Sequence, residues 1–234
     1  MEKTSWKHKF VRLVELANAI VTHKRKLSKL LGVPIKEIDS AYNELAESKF
    51  LHDLNKKTAH PKILHYVSMF SPFRAPILYL ICRFIKPDVV IETGVKDGFS
   101  TSFTLHALEM NKKGRLYSID LPNRPGHELR ETQRTGWLVP KEFYHRWKLI
   151  LGSSRDKLPA LLENVRNVDI FFHDSDHSYE NMMFEFDKAW GYLMPKGFLL
   201  VDDITENSAF SEFIRKRGCK SSLELFKTGI AIKY

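Results

Sequence analysis

Cysteine is scarce in this chain of 234 residues: there are two, Cys82 and Cys219. Two cannot build a disulfide framework or a cysteine-based zinc cluster, so a reduced, cytoplasmic protein is expected. Long apolar runs are missing too. The longest uncharged one, Ala75 to Cys82, has eight residues and contains Pro76, whereas a membrane-spanning helix needs ~20. The first ten residues, MEKTSWKHKF, hold no apolar signal-peptide core. Internal repeats and low-complexity stretches are also absent.

What is present is an ordinary globular composition, 43% hydrophobic and 28% charged. That is enough apolar material for a sizeable core, and it excludes disorder. The net charge is +9, which keeps an anionic partner in view. The excess is local. Residues 1–30 carry eight basic and two acidic side chains, or +6, leaving +3 for the other 204. A solvated basic helix face is the plain reading of that segment, and a phosphate-binding arm the alternative.

The first sixty residues read as helical. Phe10, Leu13, Val14, Ala17, Ile20 and Val21 share one helix face, and a second helix is expected from Pro34 to about Leu51 with Ile38, Tyr42, Leu45 and Ala46 inward. The polar stretch 54–62, ending in Pro61, divides an N-terminal helical cap or arm (1–62) from the remainder (63–234). Beyond it, strand and helix patterns alternate. Strands are expected at 88–93, 115–119, 147–151, 168–173 and 197–202, and helices at 99–111, 156–165, 179–193 and 209–217. The strands from 88 to 202 are near-continuous apolar runs, as in sheets covered on both faces. Strand–helix alternation implies parallel pairing through right-handed crossovers. The last two strands, 222–226 and 229–234, are joined by two residues, which permits only an antiparallel hairpin. The fold class is therefore α/β, a Rossmann-like doubly wound and mostly parallel sheet of seven strands with an antiparallel strand near one edge, plus N-terminal helices.

In such a sheet ligands bind outside the carboxyl ends of the strands. The first end, ETGVKDGFST (92–101), places Gly94 and Gly98 in a strand-to-helix turn. It matches neither the P-loop nor the G-x-G-x-x-G fingerprint. Asp120 closes the next strand, 26 residues past Gly94. An acid in that place can accept both hydroxyls of a ribose, or serve as a cap. Ser153 and Ser154 follow the third strand as small donors or as an N-cap. The fourth and fifth ends, HDSDHSY (173–179) and VDDI (201–204), bring Asp174, Asp176, Asp202 and Asp203 to neighbouring tips, with His177 close by. Clustered carboxylates repel unless a cation stands among them. That cation is either a hard divalent ion or a Lys or Arg side chain. His177 offers a general base or a structural imidazole. His173, Asp174 and His177 superficially match an iron facial triad, but successive strand residues point to opposite faces.

These stretches resemble the class I S-adenosylmethionine-dependent methyltransferases, in particular small-molecule O-methyltransferases of the catechol, caffeoyl-CoA and macrocin types. The likeness covers about residues 63–234 and rests on VVIETGVKDGFSTSFTL, RLYSID and VDIFFHDSDHSYENMMFEFDKAWGYLMPKGFLLVDDI. It implies a seven-stranded sheet with S-adenosyl-L-methionine as cofactor. Glu92, Gly94 and Gly98 would shape the methionine pocket, with Ser100 donating to the carboxylate. Asp120 would hold the ribose, Ser153 and Ser154 would lie near adenine, and Asp174 would also border the cofactor. Asp174, Asp202 and Asp203 fall where metal-dependent members hold a divalent ion such as Mg²⁺. His177 or Asp174 would act in catalysis. Two departures from the family pattern are the Asp-Asp pair at 202–203, where Asp-Asn is common, and His177, where Lys is common. The expected reaction is O-methylation of a small hydroxylated acceptor. The segment 121–146, rich in Arg, His and aromatics, suggests an anionic one. Competing expectations are an RNA methyltransferase using the basic N-terminal segment and a non-catalytic cofactor-binding protein. Exposed apolar N-terminal helices would suit a homodimer.

Overall fold

The computed structural model describes residues 22–58, 71–122, 134–225 and 227–234, with backbone alone at 71–73. The face expected from Phe10 to Val21 and the boundary at 59–62 lie outside these residues. Helix α1 is described over 22–31. The second expected helix is two, α2 (Ile35–Ala46) and α3 (Lys49–Thr58). Ser48 causes the break: its hydroxyl donates to Leu45 O at 2.6 Å and accepts from Leu51 N at 3.1 Å, capping the second helix. Ala46 is exposed as a result, while Ile38 and Leu45 are buried. The polar stretch from Leu54 to Thr58 continues α3 rather than forming a linker, since Leu54 and Thr58 face inward.

Helix α4 (Ser71–Ile85) contains the uncharged run around Pro76. It leads into β1 (Val89–Thr93), α5 (Phe99–Asn111), β2 (Arg115–Asp120), a 3-10 turn (Lys141–Arg146), β3 (Trp147–Leu151) and α6 (Ser154–Val165). The chain closes with β4 (Val168–His173), α7 (Tyr179–Tyr192), β5 (Leu193–Val201), α8 (Ala209–Lys216), β6 (Ser222–Leu225) and β7 (Thr228–Ile232). β5 begins earlier than expected because its register against β4 shifts between Val168 and Ile170, where exposed Met194–Lys196 loop out.

The sheet order is β3-β2-β1-β4-β5-β7-β6. All pairs are parallel except those of β7, which runs antiparallel to β5 and β6. Alternate residues of each strand feed two cores. Val90, Ile170, Phe172 and Leu200 pack with α4, α5 and the N-terminal helices, while Ile91, Phe171, Leu199 and Val201 pack with α6, α7 and α8. Leu27, Ile38, Leu45, Phe50 and Leu54 belong to the first core, so the described N-terminal helices share the sheet's interior. Glu44 fastens them further. It accepts from Arg83 Nε and Nη2 of α4 at 2.8 and 2.9 Å, and from the Tyr79 hydroxyl. The order reverses between β1 and β4, which opens a crevice at their carboxyl ends. Among the described residues no helix is long and apolar enough to cross a membrane.

Candidate active site

The turn after β1 is tight because two other segments of the chain converge on it. Gly94 has φ +86°, and a Cβ there would lie 1.9 Å from the Asp174 carbonyl oxygen at the end of β4. Gly98, also at φ +86°, is pressed by Val139 and Gly136, whose nearest atoms would stand 2.8 and 2.9 Å from a Cβ. The segment bearing Gly136 is bonded to the turn by Gly136 N to Lys96 O and Leu138 N to Asp97 O, both 2.9 Å. Neither glycine tolerates a side chain.

Asp120 ends β2 beside this turn. Its Oδ2 accepts from Lys96 N at 2.7 Å and Val95 N at 3.2 Å, and its Oδ1 from Leu121 N at 2.8 Å. The ribose candidate and the glycine turn are thus one rigid unit, and half-buried Asp120 remains at its rim. Glu92 lies beneath, 1% exposed. Ser118 donates to its Oε1 at 2.5 Å, and Trp147 Nε1 donates to Ser118 Oγ at 2.7 Å. Its other oxygen is buried without a hydrogen bond. Burial raises the Glu92 carboxyl to about 8, with Asp174 and Asp120 pushing the same way against the Ser118 bond.

At the tips of β4 and β5 the parallel ladder runs on through Asp174 N to Thr93 O (2.8 Å) and Asp202 N to His173 O (2.9 Å). This brings both carboxylates together with the His177 ring, their ligand atoms all within 4.8 Å of one another. Arg74 of α4 reaches between the acids. Its Nη1 pairs with Asp202 Oδ2, and its Nη2 lies 3.4 Å from Asp174 Oδ2. Burial lifts Asp174 to about 6, while Arg74 and His173 draw it down. Burial, then His173, lowers His177, whose Nε2 is buried without a hydrogen bond. The imidazole is therefore neutral near pH 7.

Behind these tips lies a buried polar knot. Glu185 of α7, 0% exposed, accepts from Thr93 Oγ1 at 2.5 Å and Ser175 Oγ at 2.8 Å, and His173 Nδ1 lies 2.7 Å away. Asn181 adds a donor at 3.1 Å. Burial would raise the Glu185 carboxyl, but the bond and charge of His173 together with the Ser154 and Thr93 bonds outweigh that and hold it below the usual range. The knot locks the β1, β4 and α7 ends into one geometry.

Residues 91–204 match a sequence family described as "Methyltransferase domain". The sheet order is that of the Rossmann-like methyltransferase fold. Solved structures share the architecture. A candidate O-methyltransferase from Klebsiella pneumoniae is 17% identical with a TM-score of 0.57, the match covering 80% of this chain and 91% of that one. The O-methyltransferase from Bacillus cereus in complex with SAH is 14% identical at 0.55, covering 80% and 92%. The O-methyltransferase NovP is 15% identical at 0.52, covering 68% and 79%. No curated protein matches the chain.

Around the ends of the strands, the sequence-expected residues divide. Glu92, Gly94, Gly98 and Asp120 meet around one turn, with buried Ser100 in the first turn of α5. Ser153 is spent as the N-cap of α6: its hydroxyl donates to Asp156 Oδ2 at 2.7 Å and accepts from Asp156 N at 3.2 Å. Ser154 Oγ is 3.5 Å from Asn181 Oδ1. Of the three acids expected around a metal, Asp174 and Asp202 come together and Asp203 does not join them. His177 takes the third place, while Asp203 lies 3.7 Å from Lys227 Nζ. A divalent ion does not fit beside the two carboxylates while Arg74 stands between them. Sequence reasoning missed Arg74 and Glu185. Only Glu185 left a sign, as an acid spaced i, i+4 from Asn181 on the apolar stripe of Met182 and Phe186. A cavity of about 460 Å³ lined by Glu163, Arg166, Asn167 and Gly191–Met194 lies at the opposite end of β4 and β5, away from these groups.

Proposed function

We propose that the protein transfers the methyl group of S-adenosylmethionine to a hydroxyl oxygen of a small, anionic acceptor. The observation that carries this reading is the joining of the glycine turn to Asp120, which sets a carboxylate at the rim of a backbone ledge over the crevice. In this reading the ledge takes the methionine portion, Glu92 lies under it, and Asp120 exchanges its bonds to Val95 and Lys96 for the ribose hydroxyls. The B. cereus relative in complex with SAH supports the cofactor.

The sulfonium carbon is already activated, so the protein's task is in-line alignment and removal of a proton. The acceptor oxygen forms a bond to the methyl carbon as the carbon–sulfur bond breaks. The products are the methyl ether and S-adenosylhomocysteine, and the hydroxyl proton passes to a base. His177 suits that role, being neutral with a free ring nitrogen. Asp174 is less suited, since Arg74 holds its charge.

Calorimetry with S-adenosylhomocysteine, followed by transfer from methyl-labelled cofactor to a panel of hydroxylated acids and phosphorylated alcohols, tests the reading. Saturable heat and label in an ether product are expected. Absence of any heat would overturn the cofactor assignment, and heat without transfer to any acceptor would leave a binding protein.

A further inference from the structure

We propose that Arg74 is the built-in cation of this site, standing where a divalent ion would otherwise be held, so that the acceptor is oriented by a guanidinium rather than a metal. The inference takes its functional meaning from the methyltransferase reading above, but its physical content is separate from it.

Three observations converge. First, the two carboxylates are strand-end neighbours fixed by ladder bonds from their own backbone N–H groups. Their backbones are held side by side, so the two acids repel when both are charged, and a cation between them relieves that repulsion. Second, that cation comes from the chain itself. Arg74 contacts both acids, and its side chain is only 13% exposed. A guanidinium is permanently charged and planar, and one group can serve two carboxylates. Third, the same two acids with His177 form a three-donor set compact enough for a metal. A hard divalent ion is held by such oxygen and nitrogen donors. Arg74 and an ion would compete for the same carboxylate oxygens, and each would repel the other.

The arrangement also gives Arg74 a job. Its Nε is buried without a hydrogen bond, so it retains a donor beyond those engaged by the acids. An acceptor oxygen reaching the tips of β4 and β5 meets a fixed positive group that favours its deprotonated form and sets its direction. This is the electrostatic part of what a metal would supply. Because the guanidinium is tethered to α4, whose inner face belongs to the first core, its position is set by folding rather than by ion concentration.

The decisive experiment titrates Mn²⁺ against the full chain and follows the free-ion electron paramagnetic resonance signal. Wild type is expected to leave the signal unchanged. Arg74→Met, which keeps most of the side-chain volume and removes the charge, is expected to take up one ion per chain. Uptake should be complete at a Mn²⁺ concentration at least tenfold below the highest at which wild type leaves the signal unchanged, which corresponds to about 1.4 kcal/mol or more. Adding Asp202→Asn to that variant should abolish the uptake. Arg74→Lys keeps a cation and should behave as wild type. Saturable uptake by wild type that Asp202→Asn removes would overturn the inference, as would no uptake by a folded Arg74→Met protein. If Arg74→Met does not fold, the wild-type titration decides alone. Calorimetry with S-adenosylhomocysteine on the same wild-type sample keeps the two readings apart: absent heat sinks the methyltransferase reading, whereas Mn²⁺ uptake sinks the role of Arg74.

Discussion

The carbonyl oxygen of Asp174 occupies the space that a side chain at Gly94 would need: a Cβ there would stand 1.9 Å away. The end of β4 and the turn after β1 are therefore in backbone contact, and the positive φ adds a second constraint. Gly94→Ala is expected to lower unfolding free energy by roughly 3 kcal/mol or more, combining the strain of a left-handed alanine with the displacement of β4. Urea unfolding measures it. A loss under about 1 kcal/mol would mean the turn yields freely.

Glu185 is the anchor of a buried set comprising Thr93, His173, Ser175 and Asn181. Glu185→Ala leaves those groups without their shared partner. It should cost about 3–5 kcal/mol, as for other broken buried pairs. Glu185→Gln, which retains an acceptor, should cost less. Equal losses in the two variants would show that volume, not hydrogen bonding, governs the site.

Glu92 gives a pH signature of definite sign. Its ordinary carboxyl value is 4.5 and its folded value about 8, so the folded state binds the proton more tightly. Its effect on stability is most favourable below the unfolded value. It declines as pH rises from about 4.5 to about 8, then levels off. Glu92→Gln cannot ionise, so it should gain on wild type across that window by on the order of 5 kcal/mol. Thermal unfolding at a series of pH values reads this directly. A gap that stays constant with pH would show that Glu92 is already ionised in the fold.

Asp120 and His177 should separate binding from chemistry. Asp120→Ala is expected to weaken S-adenosylhomocysteine binding about tenfold to a hundredfold, the scale of lost charged hydrogen bonds. His177→Ala should leave that binding intact and lower kcat by about a hundredfold or more. The reverse pattern, with His177→Ala impairing cofactor binding and Asp120→Ala sparing it, would exchange their roles.

Much of this layout was legible because burial on both faces leaves a plain trace. β3 and β4 coincide with their apolar runs, and α5 with its expected span. The N-terminal helices were harder to read, because Ser48 suits a helix interior in sequence but caps one in space. Helix α4 was hidden by Pro76, which argues against a helix although this one accommodates it. The acids at the strand ends could be found from topology alone. Their partner could not, because Arg74 arrives from a helix far earlier in the chain, and no local spacing links it to Asp174 or Asp202. Glu185 looked like one more charge on an amphipathic helix until its burial was seen.

The relay from Trp147 through Ser118 to Glu92 gives the crevice an optical gauge of its own. The indole ring also fills the ground that a Gly136 side chain would claim, 2.3 Å from such a Cβ. It thus touches both the floor of the crevice and the strip stitched to the glycine turn. Any guest that settles on that turn disturbs the polarity around one tryptophan, so its arrival can be watched by intrinsic fluorescence without a label.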